Sequence, residues 1–405
     1  MSSHTSKKET VVITDEKRID EVLSRGVEEV IKKEDLKKKM LSGERLRIKL
    51  GIDPTSPHLH LGRSVPLLKM RDFQNLGHQV VLIIGDFTGV VGDTSDKDSE
   101  RPMLEQKTIE ENKKKYFDQI KLIIDLDTAE FRYNSEWLSP LTYAEIGVQA
   151  DAFSVADFIA RDNIRRRLDA GTRVSLREML YPMMQGYDSV AIQADVELGG
   201  SDQRFNLLAG RTLQEKFGQE PQNIITTPLI EGLDGRKMSS SWGNTITFTE
   251  TPDNMYGKIM SIKDELIIRY FTVLTRIPEE KIKDTQKGLS EGKNPKEAKM
   301  CLAREIVTLY HNKELAEQAE QNFEHTFKEG GIPEDILERI ITDGELLIDT
   351  LVLSKNTSSK TEARRLIVDG AIKNAETGEK YTDDTQKTPH NITLKIGKKN
   401  FLKII

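Results

Sequence analysis

The 405-residue chain contains one cysteine, Cys301, so it can form no internal disulfide and no cysteine-based zinc site of two or more ligands. Its fold must stand on packing. Long apolar runs are missing as well. Val80-Val81-Leu82-Ile83-Ile84 is among the longest, far short of the roughly 18 residues a membrane-spanning helix needs. No membrane partner is expected. Residues 1–10 are polar, with Lys7-Lys8-Glu9 and no apolar stretch behind, so neither a secretory signal nor a lipid anchor is read there. The expected address is cytoplasmic. Internal repeats and low-complexity segments are absent too, and the length suggests about two to four domains.

Net positive charge is also lacking. The formal charge is -6, which by itself argues against a nucleic-acid partner, because phosphate binding draws on clustered Lys and Arg. The distribution carries more information than the total. Residues 351–405 hold eleven Lys and Arg against six Asp and Glu, a net +5, which leaves -11 on the first 350 residues. Residues 385–405 contain five lysines and no acid. An acidic enzyme body with a basic RNA-contacting tail fits this asymmetry, and so does a solvated charge run.

What is present is an α/β pattern. Residues 15–40 place Ile19, Val22, Leu23, Val27, Val30 and Ile31 at helical spacing, predicting an amphipathic leading helix or helix pair that stops at Gly43. Residues 46–52 (LRIKLGI) read as a strand, 61–76 as a helix and 79–84 as a second strand that breaks at Gly85-Asp86. Strand, crossover helix and apolar strand imply a parallel sheet, whose ligands bind beyond the carboxyl ends of its strands. A mostly helical middle over 105–186, a strand over 189–197 before Gly199-Gly200, a helix over 202–217 and a strand over 224–230 follow. Residues 252–338 read as helical. Beyond Asp343-Gly344 come a helix at 359–369 and strands near 392–396 and 400–404.

Two segments after strands could carry chemistry. The turn Gly51-Ile52-Asp53-Pro54-Thr55-Ser56-Pro57-His58-Leu59-His60-Leu61-Gly62-Arg63 sets Asp53 and Thr55 beside a helix N-terminus bearing His60 and Arg63. Gly62 lets a ligand approach the backbone, and the imidazole, guanidinium and helix end together suit a polyphosphate. Simple turn chemistry with surface histidines is the plain alternative. The second segment is Gly232-Leu233-Asp234-Gly235-Arg236-Lys237-Met238-Ser239-Ser240-Ser241, where Gly235 offers pliability and Lys237 a compact charge that could close on a departing pyrophosphate. Such a loop gains weight from the first segment, since both follow strands of one sheet.

The pair resembles the two signature motifs of class I aminoacyl-tRNA synthetases, HIGH and KMSKS, standing here as HLGR and KMSSS. Gly51-Ile52-Asp53-Pro54-Thr55 narrows the likeness to tyrosyl-tRNA synthetases. So do Gly85-Asp86-Phe87-Thr88-Gly89-Val90-Val91-Gly92-Asp93, Tyr181-Pro182-Met183-Met184-Gln185-Gly186-Tyr187-Asp188 and Glu197-Leu198-Gly199-Gly200-Ser201-Asp202-Gln203. The similarity runs from about Leu46 to Asn312. It implies a tyrosine–tRNA ligase that uses ATP, with Mg2+ carried by the nucleotide, to form tyrosyl-adenylate and then charges tRNA(Tyr).

The resemblance also implies roles. Tyr181, Gln185 and Asp93 would hold the tyrosine ammonium, Gln203 would lie near its carboxylate, Thr88 would line the pocket and Asp188 would read the phenolic hydroxyl. Phenylalanine would leave such a carboxylate unpaired. Asp202 and Gly200 would hold the ribose, Gly51 would admit the adenosine, and Asp53, Gly62, Met238 and Ser240 fall on the ATP-binding side. Thr55, His60, Arg63 and Lys237 would act on the phosphates in the transition state, and Lys97 and Arg101 would grip the pyrophosphate. No nucleophilic side chain is needed: the tyrosine carboxylate attacks the α-phosphate in line.

Three positions depart from the family's pattern. Arg63 replaces the second histidine of HIGH, Ser240 replaces the second lysine of KMSKS, and Lys49 stands where many members have tyrosine. Strand parity with Gly51 and Asp53 turns Lys49 toward the cleft, where pairing with Asp188 is expected. The tail around residues 359–372 resembles a small RNA-binding domain shared with a ribosomal small-subunit protein, which implicates Lys360, Arg364, Lys398 and Lys399 in tRNA contact.

The organisation expected is an N-terminal helical segment (1–44), a Rossmann-like parallel-sheet catalytic domain with a helical insertion (45–247), an α-helical anticodon-side domain (248–338) and a small α+β RNA-binding domain (343–405). A homodimer is expected from the resemblance and from apolar surface at residues 174–184. The rival readings are a tryptophanyl-tRNA synthetase, which Asp188 disfavours, a non-catalytic RNA-binding paralogue, and a nucleotidylyltransferase with a similar histidine motif.

Overall fold

The computed structural model describes residues 11–94, 103–328, 337–342, 344–354, 356–357, 359–397 and 400–405. It divides into two compact units, Met1–Lys313 and Glu314–Ile405.

The first unit is built on a six-stranded sheet in the order β1-β6-β5-β2-β3-β4. The strands are β1 (Glu29–Ile31), β2 (Arg47–Ile52), β3 (Gln79–Ile84), β4 (Glu130–Tyr133), β5 (Val196–Gly200) and β6 (Asn223–Thr227). All neighbours run parallel except β1, which pairs antiparallel with β6. In β3 five successive apolar residues are buried, as expected of a strand covered on both faces. Helix α1 (Glu16–Val22) and α2 (Lys33–Leu41) flank β1, and α3 (Leu61–Asn75) makes the crossover from β2 to β3. The chain leaves α3 through Gly77, whose φ of +89° closes the helix end. Strands β3 and β4 add on one side of β2, whereas β5 and β6 add on the other. This reversal opens a crevice at the carboxyl ends of β2 and β5, the usual ligand position in doubly wound sheets.

Helices α4 (Thr88–Val91) and α5 (Gln106–Ile120) follow β3, and α6 (Ser135–Leu138), α7 (Tyr143–Ala150), α8 (Val155–Ile159), α9 (Asp162–Asp169) and α10 (Leu176–Ile192) lie between β4 and β5. Helix α11 (Arg204–Lys216) links β5 to β6. After β6 come α12 (Pro252–Met260), α13 (Ile267–Leu274), α14 (Glu279–Ser290) and α15 (Pro295–Tyr310). The α/β expectation holds, with local corrections. The leading segment is a helix pair interrupted by β1. Gly26 at φ +60° ends the helical path, and Val30 and Ile31 pair instead with the open edge of β6. Residues 189–192 belong to α10 rather than to a strand, because the helix continues until Gln193 turns left-handed at φ +51°. Strand β4 was not legible, since a short half-buried strand reading Glu-Phe-Arg-Tyr carries no continuous apolar run.

The second unit contains α16 (Lys313–Lys328) from residue 314 on and a five-stranded sheet in the order β7-β11-β10-β8-β9. Its strands are β7 (Leu337–Arg339), β8 (Ile372–Asn374), β9 (Lys380–Tyr381), β10 (Ile392–Ile396) and β11 (Asn400–Ile404), with α17 (Leu347–Leu353) and α18 (Lys360–Val368) beside them. Leu347, Leu351, Ile367, Leu394 and Leu402 form the centre of its core. The sequence showed β10, β11 and α18 but not the short strands β7, β8 and β9.

Candidate functional site

A cavity of about 470 Å3 occupies the crevice beyond the carboxyl ends of β2 and β5. Three chain segments supply most of its wall. The end of β2 and the turn after it supply Gly51, Asp53, Thr55, His60, Gly62 and Arg63. From the end of β5 come Gly200, Asp202 and Gln203, and the loop after β6 supplies Lys237, Met238 and Ser240. Asp93 and Gln185 complete the wall at one side. A Cβ built on Gly51 meets nothing among the described residues within 4 Å, so a ligand can lie against that backbone.

At the phosphate-suited side, His60 stands at the N-terminus of α3 and is held there by backbone pairing of Leu61 with Ile246 and of Phe248 with Leu59. Burial, followed by the charges of Arg63 and Lys237, depresses the His60 imidazole to about 3. It is therefore neutral near pH 7, and its buried Nδ1 has no hydrogen-bond partner among the described residues. The loop after β6 is a tight, pinned hairpin. Met238 N–H donates to the Ile230 carbonyl at 2.8 Å, and Asn244 bonds Asp234, Ser239 N–H and the Lys237 carbonyl. Gly235, at φ +82°, serves this turn rather than loosening it. The Met238 sulfur accepts the Gly62 N–H at 3.3 Å, joining the hairpin to the first turn of α3. Lys237 Nζ reaches across to Asp202 at 2.8 Å.

The opposite side is a buried polar network. Helix α10 starts with a Ser175–Glu178 capping box and carries Tyr181, Gln185 and Asp188 along one face. Tyr181 and Asp188 are buried, and neither lines the cavity. Tyr181 Oη donates to Asp53 Oδ2 at 2.8 Å, and Thr88 Oγ1 donates to Asp53 Oδ1 at 2.7 Å. Asn134 Nδ2 bonds Thr88 Oγ1 at 2.9 Å and Asp188 Oδ2 at 3.4 Å, while Trp137 Nε1 donates to Asp188 Oδ1 at 2.8 Å. One chain of hydrogen bonds thus links two carboxylates. Burial raises Asp53 to about 6, against the hydrogen bonds from Thr88 and Tyr181. It raises Asp188 to about 7, against the charge of Lys49 and the bonds from Trp137 and Asn134. Gln203 Nε2 donates to Asp93 Oδ2 at 2.7 Å, so these two arrive as a unit.

Lys49 corrects an expectation. It is fully buried and salt-bridged to Glu197 at 2.9 Å, not to Asp188, because parallel pairing of β2 with β5 sets Lys49 directly beside Glu197. Its face of the strand lies under α10, and only Gly51 of that face is open to the cavity. Sequence reasoning also passed over Asn134 and Trp137, whose segment follows the unrecognised β4. Lys97, Arg101, Lys398 and Lys399 lie outside the described residues. In the second unit Lys360 pairs with Asp349 and Arg364 with Asp384, each at 2.6 Å.

Residues 41–328 match the family described as tRNA synthetases class I (W and Y). The chain is 45% identical over 406 residues to the tyrosine–tRNA ligase of Carboxydothermus hydrogenoformans, covering 96% of this chain and 98% of that protein. It is 44% identical to the tyrosine–tRNA ligase of Thermotoga maritima, covering 95% and 96%. Among solved structures, its fold is similar to a truncated mitochondrial tyrosyl-tRNA synthetase from Aspergillus nidulans, with a TM-score of 0.66, 20% identity and 76% and 94% of the two chains covered. The Archaeoglobus fulgidus tyrosyl-tRNA synthetase complexed with L-tyrosine superposes with a TM-score of 0.60, 23% identity and 76% and 100% covered. This chain belongs to the class I tRNA synthetases (W and Y), within their bacterial-type tyrosine–tRNA ligase branch.

Proposed function

We propose that the chain activates L-tyrosine with ATP, releasing pyrophosphate, and transfers the tyrosyl group to the 3' end of tRNA(Tyr). The observation that carries this reading is the joining, at one switch-point cavity, of a cationic phosphate side to a buried carboxylate network. Asp93, Tyr181 and Gln185 hold the ammonium, Thr88 lines the same pocket, and Asp53, which accepts from Tyr181 and Thr88, stands on the ATP side. Gln203 lies beside the tyrosine carboxylate. Asp188 reads the phenol hydroxyl: its two oxygens take one donor each from Trp137 and Asn134, and a carboxylate has further lone pairs for a third. Gly51, Gly200 and Asp202 receive adenosine and ribose, so the ribose must displace Lys237 from Asp202 and free that amine for the phosphates.

The tyrosine carboxylate attacks the α-phosphate. Neutral His60, Thr55 and Arg63 stabilise the charge developing on the phosphate oxygens, and Lys237, Lys97 and Arg101 hold the departing pyrophosphate, with Gly62, Met238 and Ser240 shaping the loop contact. ATP enters as its magnesium complex, the ion being held mostly by phosphates and water. The basic tail of the second unit, residues 351–405 with Lys360, Arg364, Lys398 and Lys399, contacts tRNA phosphates. The active form is a homodimer. Exposed Tyr143, Val148, Val155, Leu176 and Leu180 on α7, α8 and α10 supply its apolar surface, and a 46 kDa monomer in sedimentation at micromolar concentration would contradict this. ATP–pyrophosphate exchange dependent on tyrosine tests the activity, and charging of tRNA(Tyr) tests the transfer.

A further inference from the structure

Lys49 and Glu197 have side chains only 0% and 1% exposed, yet neither touches the cavity. Burying an ion pair between two strands costs desolvation that an apolar pair of similar volume would avoid, so cohesion of the sheet does not explain it. Every proton of the ammonium is used. Lys49 Nζ meets Glu197 Oε1 at 2.9 Å, the Gln185 carbonyl at 2.8 Å and Ser189 Oγ at 2.7 Å. Glu197 Oε1 also accepts from Gln185 Nε2 at 3.1 Å, and Oε2 accepts from Ser189 Oγ at 3.2 Å and from Gln222 Nε2 at 2.5 Å. The pair therefore grips α10 on both sides of Asp188, at the residues three before and one after it.

We propose that Lys49, locked by Glu197, is a positioning residue for substrate selection: it fixes the turn of α10 that carries Gln185 and Asp188 and supplies the positive charge that keeps the Asp188 carboxylate an acceptor for the phenol. This rests on the tyrosine reading above. The packing around the pair leaves little freedom. A Cβ on Gly210 would lie 2.4 Å from Gln222 Nε2 and 2.9 Å from Ser189 Oγ, and one on Gly186 would lie 2.9 Å from the backbone of Ala209. Helices α10 and α11 thus close over the ion pair at two glycines.

The charges acting on Asp188 have opposite signs. Lys49 on β2 favours its ionised form, Glu197 on β5 opposes it more weakly, and Tyr181 lies on its own helix, while Trp137 and Asn134 donate from the segment around α6. Removing Lys49 and removing Glu197 must then displace Asp188 in opposite directions. A purely structural role would make both variants lose activity alike.

The experiment is tyrosine-dependent ATP–pyrophosphate exchange across pH for wild type, Lys49→Met, Lys49→Arg and Glu197→Gln, reading the acid limb of kcat/KM for tyrosine. Gln222 Oε1 has no partner among the described residues, so rotation of that amide can accommodate the glutamine at 197. Lys49→Met should move the limb up by about half a pH unit or more, about threefold in KM on the limb, with kcat changing less. Glu197→Gln should move it down, and Lys49→Arg should restore the wild-type position. Limbs that stay in place or move together would overturn the inference. If Lys49→Met does not fold, the downward shift in Glu197→Gln decides alone. Wild type that shows no exchange with tyrosine, or Asp188→Asn that keeps its preference over phenylalanine, would instead remove the reading beneath.

Discussion

The two sides of the cavity hold their charges in contrasting ways. At the phosphate side the cation Lys237 is held by a carboxylate, Asp202, that the substrate itself should claim, so binding one partner releases the other. At the proposed amino-acid side the groups, buried except for the half-buried Asp53, are joined by hydrogen bonds from Tyr181 through Asp53, Thr88 and Asn134 to Asp188, with Lys49 and Glu197 locked beneath. The first arrangement suits charge that appears only as a bond breaks. The second suits recognition, where a fixed polar group rejects a substrate that cannot pair with it.

If both sides lie wholly in the first unit, a chain ending at Lys313 should keep tyrosine activation within about threefold while losing about 100-fold or more of tRNA charging at moderate salt. Cutting there, rather than at residue 351, avoids leaving Leu347 and Ile348 without their core partners. Loss of exchange in the truncated chain would show that the second unit supports the site. Lys237→Ala sharpens the contrast next. Adenylate formation should slow about 100-fold, with tyrosine affinity without ATP changed less than about threefold. Equal losses would erase the distinction between the two sides.

Asp188→Asn should weaken tyrosine binding by about 1.5–3 kcal/mol and lower discrimination against phenylalanine. It should also flatten the pH dependence of stability. Because burial raises this carboxyl to about 7, the native state holds its proton more tightly than the unfolded chain, so wild-type stability falls as pH rises from about 4 to about 7. The asparagine variant should lose that slope, measured by denaturant unfolding. An unchanged slope would mean that Asp188 does not titrate there. The smallest effect is expected of Gly186→Ala, which should cost about 1–3 kcal/mol of stability in denaturant unfolding by pushing α10 off α11.

That His60, Gly62, Lys237 and their neighbours would meet at one crevice was legible in the sequence, because they are contiguous in short loops after strands. The helix face bearing Tyr181, Gln185 and Asp188 was legible through its spacing. The partners of those side chains were not. Trp137 and Asn134 follow an edge strand with no apolar pattern, and the Lys49–Glu197 contact depends on which strands are neighbours, a property of sheet order that periodicity within either strand does not encode. Parity correctly put Lys49 and Gly51 on one face but could not say that α10 covers only the first. The Gly235 turn was read as pliable because sequence shows the glycine but not the Asn244 that pins the loop.

Selection of a phenol by the buried side is tested by ATP–pyrophosphate exchange by the intact chain with each of the twenty amino acids in turn. Tyrosine alone should support substantial exchange, with phenylalanine and tryptophan far below it. Comparable exchange with tryptophan or phenylalanine, or none with tyrosine, would contradict the account.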